Sequence, residues 1–182
     1  MNELPLDLEP DPAFFSSLGI EPLPLPRALA VIVADHLPNA GKDTASLLTE
    51  LLEEAGFTVD GVVNVAAARK EVRRAIDTGV IGGADLVITV GGTGVGARDI
   101  TPEVTREVLD QEVPGVSQAL RFSGLACGSV EAATSRGIAG ISGQTVVVNI
   151  ADSRAAIRDS MATLGPLVQH LIAELRKFAV AD

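Results

Sequence analysis

The stretch Thr89-Val-Gly-Gly-Thr-Gly-Val-Gly-Ala-Arg-Asp-Ile-Thr-Pro-Glu103 decides how this chain is read. It begins as the end of an apolar run, Ala84-Asp-Leu-Val-Ile-Thr-Val90, short and β-branched enough to predict a buried parallel strand. Gly91, Gly92, Gly94 and Gly96 follow, with only Thr93 and Val95 between them. Backbone without Cβ atoms turns sharply and lets a ligand come close, and its N–H groups can form an anion-binding nest. Thr101-Pro102-Glu103 predicts a helix start: Thr101 as N-cap, Pro102 at the first helical position, Glu103 at the positive end. Arg98 and Asp99, one cation and one carboxylate, stand between nest and helix. Strand, glycine loop, charged pair and helix together point to a site for an anionic ligand accompanied by a metal. A merely tight turn is the plain alternative, but a turn needs one glycine, not four.

Two familiar phosphate motifs fail here. Gly92-Thr-Gly94-Val-Gly96-Ala97 fits a loose dinucleotide fingerprint, but that fingerprint places its last position inside the helix, and Thr101-Pro102 set the start later. No acidic residue ends a following strand about twenty residues on, as ribose recognition requires. The P-loop fails because Gly96 is followed by Ala97-Arg98 rather than Lys-Ser/Thr.

Outward from the loop, the 182 residues suit one domain with a sizeable core; 47% of them are hydrophobic and none is Trp or Tyr. A formal net charge of −10 argues against nucleic acid or an anionic membrane as partner. A single cysteine, Cys127, leaves no intrachain disulfide and reads as a packing residue. With no run of membrane-spanning length and no secretory start, a soluble cytoplasmic protein is expected. Residues 1–26 stand apart as an acidic, proline-rich extension holding six of the ten prolines, so regular pairing is not expected there. Phe14, Phe15 and Leu18 could attach it to a neighbouring subunit; a passive tail is the alternative.

From Arg27 to the end the pattern is that of one α/β domain. Ala28–Ala34 is a continuous apolar run and predicts a central strand ending at Asp35-His36. Asp43 is a credible N-cap for a helix carrying Leu47, Leu48, Leu51 and Leu52, closed by Gly56. Residues 57–65 predict a strand and residues 67–78 an amphipathic helix whose arginines form a solvated face. Pro114 opens another helix. Residues 131–140 and 144–150 predict a hairpin turning at Ser142-Gly143, and Asp152-Ser153 caps a last helix that Pro166 should kink. Such alternation implies right-handed crossovers: a three-layer α/β/α fold with a mostly parallel sheet and an antiparallel edge hairpin. Ligands bind such sheets at the strand C-terminal edge. Asp35, Asp43 and Asp99 could share a divalent metal there, although oxygen-only sites have no diagnostic spacing.

Val90-Gly-Gly-Thr-Gly94, Arg98-Asp99-Ile-Thr-Pro-Glu103, Pro114-Gly115, Ser135-Arg136-Gly137 and Val147-Val-Asn149 together resemble molybdenum-cofactor biosynthesis proteins of the Mog/MoaB type, from about Ala28 to Phe178. The resemblance implies a three-layer domain, usually a trimer, that binds molybdopterin; active members adenylylate that pterin with ATP and Mg²⁺. It implies that residues 27–182 are the pterin-binding domain. On this reading Gly91, Gly92, Thr93 and Gly94 hold the phosphate, Arg98 neutralises charge, and Asp99 is the catalytic and metal-binding carboxylate. Ser135, Arg136 and Asn149 enter as ligand-binding candidates by the same resemblance. Three departures bear on activity. The family's Asp-x-Ser-Gly-Pro is Asp43-Thr-Ala-Ser-Leu47 here; a family carboxylate falls near Ala68-Arg69; and Asn-Leu-Pro-Gly-Ser-Pro is Asn149-Ile-Ala-Asp-Ser-Arg154. Lost carboxylates and glycines remove groups that position phosphates. Catalysis suffers from such changes before binding does, so an adenylyltransferase and a catalytically silent oligomeric pterin-binding module both stand as expectations, with a nicotinamide oxidoreductase a distant third.

Overall fold

The computed structural model describes residues 24–34 and 40–178. Asp35 and His36, and residues 1–23 of the 1–26 extension, with Phe14, Phe15 and Leu18, lie outside the described residues. Among the described residues a six-stranded sheet has the order β2-β1-β3-β6-β5-β4. Its strands are β1 (Arg27–Val33), β2 (Thr58–Val65), β3 (Leu86–Val90), β4 (Gln111–Glu112), β5 (Ala139–Ser142) and β6 (Thr145–Ile150). β1, β2, β3 and β6 pair in parallel, and β5 runs antiparallel to both β6 and β4. The mostly parallel sheet with an antiparallel edge is therefore present, as the sequence predicts.

Alternation along the central strands divides the core between two faces. Ala28, Ala30 and Ile32 of β1, with Leu86, Ile88 and Val90 of β3, share one cluster with three helices. These are α1 (Ala40–Glu54), α4 (Pro114–Ala126) and α6 (Arg154–Phe178), through residues such as Leu48, Leu120 and Leu164. Val31, Val33, Val87 and Val147 point the other way. They pack on Val72 and Ile76 of α2 (Arg69–Ile81) and Val104 of α3 (Thr101–Arg106). Both faces being covered, the strands carry unbroken apolar runs instead of alternating ones. A further short helix, α5 (Val130–Thr134), precedes β5.

Several local readings change. Helix α1 starts at Ala40, so Asp43 lies in its first turn, where a carboxylate still suits the helix dipole, and is not its cap. Residues 131–134, read as part of a strand, are in α5, started by Ser129, whose side chain accepts from the Ala132 N–H. The hairpin turns one residue later than expected, at Gly143-Gln144, because Ser142 pairs with Thr145 and Gly143 takes φ +58°. β4 is only two residues long and exposed, which leaves no periodicity to read. Ser153 caps α6 as expected, accepting from the Ala156 N–H, and the helix continues through Pro166. The α2 arginines are exposed, and Arg69 and Arg73 both pair with Glu107 at the end of α3, tying those two helices on the outer face.

The register places the site. Ile32, Val90 and Ile150 are adjacent at the ends of β1, β3 and β6. The chain leaves β1 toward β2 on one side and continues from β3 on the other, so the strand order reverses between β1 and β3. That is the switch point where crevices form outside the carboxyl ends of strands.

Candidate functional site

Gly91 and Gly92 take φ of +98° and +66°, left-handed backbone that a side chain would strain. Space is lacking as well: a Cβ at Gly91 would lie 2.6 Å from the Val33 carbonyl oxygen, and one at Gly92 2.3 Å from Thr101 Oγ1. The loop thus folds directly over the end of β1. The Gly91 N–H continues the sheet by donating to Ile150 O at 3.0 Å, so Gly91 shapes the nest without offering it a donor. The N–H groups of Gly92, Thr93 and Gly94 meet no acceptor among the described residues.

Thr101 has a different role from the cap expected of it. The residue flanking α3 is Ile100, which makes no side-chain cap, and Thr101 is buried inside the first turn. Its hydroxyl donates to Gly91 O at 2.9 Å and its N–H to Gly92 O at 3.1 Å. The helix start and the glycine turn therefore hold each other. Asp99 turns back over the loop: its Oδ2 accepts from the Gly96 N–H at 2.8 Å, and a Cβ at either Gly94 or Gly96 would come within 2.8 Å of that oxygen. Arg98 stands exposed on the outer turn.

Ser135, Arg136 and Gly137 form a brace reaching this loop from the far side of the sheet edge. Gly137 lies flat on β6, where a Cβ would meet Asn149 O at 2.7 Å, and its N–H donates to Ser135 Oγ at 3.1 Å. Arg136 is thereby sent across to the glycines. Its backbone N–H donates to Thr93 O at 2.9 Å, Nε to Gly94 O at 2.6 Å and Nη2 to Asp99 O at 2.5 Å, and Nη1 pairs with Glu103. This pairing with Arg136 holds the Glu103 carboxyl below the usual glutamate range. The pair's stabilisation is present above that usual range and is lost as pH falls through the lowered value. The peptide that Arg136 fixes at Thr93 O carries the Gly94 N–H, and the peptides that Thr101 fixes at Gly91 O and Gly92 O carry the N–H groups of Gly92 and Thr93.

Asn149 is 2% exposed, and its amide is occupied inside the core. Nδ2 donates to Thr89 Oγ1 at 2.8 Å and to Thr105 Oγ1 at 2.9 Å, while Oδ1 accepts from the Ile138 N–H at 3.2 Å. It ties β6, β3 and α3 together beneath the loop. Sequence reasoning missed Arg121, which donates to Ser135 O at 3.2 Å and Gly137 O at 2.9 Å and so secures the brace. The available signal was that Arg121 is the single charged residue of α4.

Beside Gly91, a cleft of 520 Å³ opens between the end of β1 and the starts of α1 and α6, lined by Val33, Ala34, Asp43, Thr44, Asp152 and Arg154 among others. Asp152 Oδ2 comes within 3.5 Å of the place a Gly91 Cβ would occupy. Among the described residues no three His, Cys, Asp or Glu side chains gather as a metal site; the expected set of Asp35, Asp43 and Asp99 includes one residue outside them. Cys127, expected to pack, is exposed at the end of α4. The nearby Asp159 carboxylate raises its pKa, which disfavours the thiolate. Among the described residues no helix is long and apolar enough to cross a membrane.

Comparison with known proteins agrees with this geometry. A family described as "probable molybdopterin binding domain" matches residues 32–170. A molybdopterin biosynthesis protein from Mycobacterium abscessus, solved by crystallography, is 54% identical, with a TM-score of 0.82 over 86% of this chain and 100% of its own. Molybdenum cofactor biosynthesis protein B of Bacillus cereus is 32% identical over 154 residues, 83% of this chain and 91% of that protein. A Helicobacter pylori protein named molybdopterin adenylyltransferase is 34% identical over 88 residues, 48% of this chain and 49% of that protein. Two other curated relatives are longer, and the chain spans 22% of one and 49% of the other. With the fold, the glycine loop and the family match in agreement, this chain belongs to the Mog/MoaB family of molybdenum-cofactor biosynthesis proteins.

Proposed function

We propose that this chain binds molybdopterin through the pterin's phosphate at the Gly92–Gly94 nest and that its adenylyl-transfer activity is weak or absent. The observation that carries the binding reading is that the N–H groups of Gly92, Thr93 and Gly94 meet no acceptor among the described residues, while the carbonyls of their own peptide planes, Gly91 O, Gly92 O and Thr93 O, are held by Thr101 and Arg136. A fixed nest pays no reorganisation cost when an anion arrives. In this reading Gly91, Ser135, Arg136 and Asn149 contribute to ligand binding by shaping the loop, and the exposed Arg98 supplies positive charge to the bound anion.

A Mg²⁺ arriving with ATP fits Asp99, whose Oδ1 has no donor among the described residues. Mg²⁺ takes one or two carboxylates together with substrate phosphates and water, so a three-carboxylate cluster is not required. Bound there, the ion would neutralise phosphate charge. The second reading, a working adenylyltransferase, is favoured by the name of the Helicobacter pylori relative. Against it stand Ala68, an exposed residue at the start of α2 with no side-chain cap, and the Asp152–Arg154 turn. The homo-oligomer that the family resemblance implies, a trimer, belongs to the same proposal.

Calorimetric titration of the purified chain with molybdopterin tests the binding reading. Gly92→Ala should weaken the affinity at least about tenfold, because the φ and the Thr101 contact both oppose a Cβ. Equal affinities in the two proteins would remove the nest from the site.

A further inference from the structure

Four of the chain's fourteen lysines and arginines, Arg69, Lys70, Arg73 and Arg74, lie within six residues at the start of α2. Arg69 and Arg73 pair with Glu107. Lys70 and Arg74 are exposed, and among the described residues their side chains meet no acceptor. They stand one helical turn apart, in line with Thr78 and Ile81. Lys70, Arg73, Arg74, Thr78 and Ile81 line a groove of about 590 Å³ on the outer side of the helix. Ile81 is 86% exposed. An isolated exposed isoleucine is ordinary; here it ends a row of unpaired cations, which makes one face both apolar and basic.

The chain enters the fold beside the Ile81 end of this face. Pro26 O accepts from the Thr58 N–H at 2.8 Å, and Arg27 Nη1 donates to the carbonyl of Gly82, the residue after α2, at 3.4 Å. Residues 1–23 carry five carboxylates, Glu3, Asp7, Glu9, Asp11 and Glu21, and no Lys, Arg or His. Followed back from Pro24, they present Leu18, Phe15 and Phe14 first, then Asp11, Glu9 and Asp7. Followed away from the same point, α2 presents Ile81 first, then Arg74, Arg73 and Lys70. The apolar and charged parts come in matching order. Reach is sufficient, because the nine residues from Phe15 to Pro24 extend to about 30 Å and α2 is only about 20 Å long. We infer that residues 7–18 dock on the outer face of the same chain's α2, with Phe14 and Phe15 against Ile81 and the three carboxylates beside Lys70 and Arg74. The carboxylates then lie toward the N-terminal, positive end of the helix. Pro10 and Pro12 stiffen the segment, so less conformational entropy is lost when it docks. Exposed ion pairs are individually weak and screened by salt, so the phenylalanines anchor the segment and the charges set its direction.

The test is disulfide trapping in the full chain carrying Cys127→Ser, which removes the native thiol. Phe14→Cys is combined with Thr78→Cys on the α2 face or, as a control, with Ala173→Cys. Ala173 is exposed on α6 within a turn of Arg176, whose Nη1 donates to Pro24 O at 3.2 Å, so the control site is also close to where the segment begins. Under mild oxidation the α2 pair should close within one chain, seen on a non-reducing gel, at least about tenfold faster than the α6 pair. Lys70→Glu with Arg74→Glu should slow the α2 closure about tenfold, the scale of two exposed attractions turned into repulsions. High salt should slow it in the protein that keeps Lys70 and Arg74. Circular dichroism should show every variant folded alike, since all the altered positions on α2 and α6 are exposed. Equal closure rates at the two sites would overturn the docking. A disulfide formed between two chains would assign the face to a neighbouring copy's segment instead and overturn docking within the chain. Closure indifferent to both the charge reversal and salt would overturn the pairing of carboxylates with Lys70 and Arg74.

Discussion

Asn149→Leu is expected to destabilise the fold by about 3 kcal/mol, although it keeps the side chain's approximate size. The substitution leaves the Ile138 N–H without its acceptor and takes the amide donor from Thr89 and Thr105, all in a region closed to water. An unsatisfied buried polar group costs about 1–3 kcal/mol, and here three partners are disturbed at once. In a chain of this size that corresponds to a melting temperature lower by roughly 6–12 °C. Adding Thr89→Val and Thr105→Val should recover part of the loss, since apolar replacement of both partners removes the unmet demand. Denaturant titration of the three proteins reads the effect; a single-variant cost under about 1 kcal/mol would show that this polar node does not hold α3 and the loop in place.

The second large effect concerns chemistry. Incubated with molybdopterin, ATP and Mg²⁺, the chain should form adenylylated pterin at a rate lower than that of the Helicobacter pylori relative by on the order of 10²–10³. Losing one electrostatic group that stabilises a transition state costs about that much, and misplacing reacting groups costs more. The family resemblance implies two such changes: a family carboxylate falls near Ala68-Arg69, and Asp152 and Arg154 stand where the family's Asn-Leu-Pro-Gly-Ser-Pro has a glycine and a proline. Ala68 is exposed at the start of α2, directly after β2, so a carboxylate restored there is tolerated structurally. Ala68→Asp should therefore raise whatever turnover exists without changing stability appreciably. Mass spectrometry of the pterin product decides it; turnover by the unaltered chain within tenfold of the relative would establish the transferase reading instead.

The sheet was readable because its strands are buried on both faces and so appear as apolar runs, as in Ala28–Ala34 and Thr145–Ile150. The glycine loop was readable because four glycines in six residues have few other uses. What the sequence hid was the division of labour around that loop. Thr101 has the chemistry of a cap, and only the tertiary approach of Gly91 O shows that its hydroxyl is needed elsewhere. Arg136 is 37 residues from Asp99 in sequence, and the contact exists because Gly137 lies flat on β6. Local propensity carries no information about either contact. β4 and α5 were hidden for a simpler reason: two and five residues are too few to show a period.

A crystal structure of the chain soaked with molybdopterin shows whether the pterin's phosphate sits at the Gly92–Gly94 loop. A phosphate is expected within hydrogen-bonding distance, about 2.7–3.2 Å, of the backbone nitrogens of Gly92, Thr93 and Gly94, with Arg136 still bound to Gly94 O and Glu103. Phosphate density elsewhere in the molecule, with the nest left to water, would contradict it.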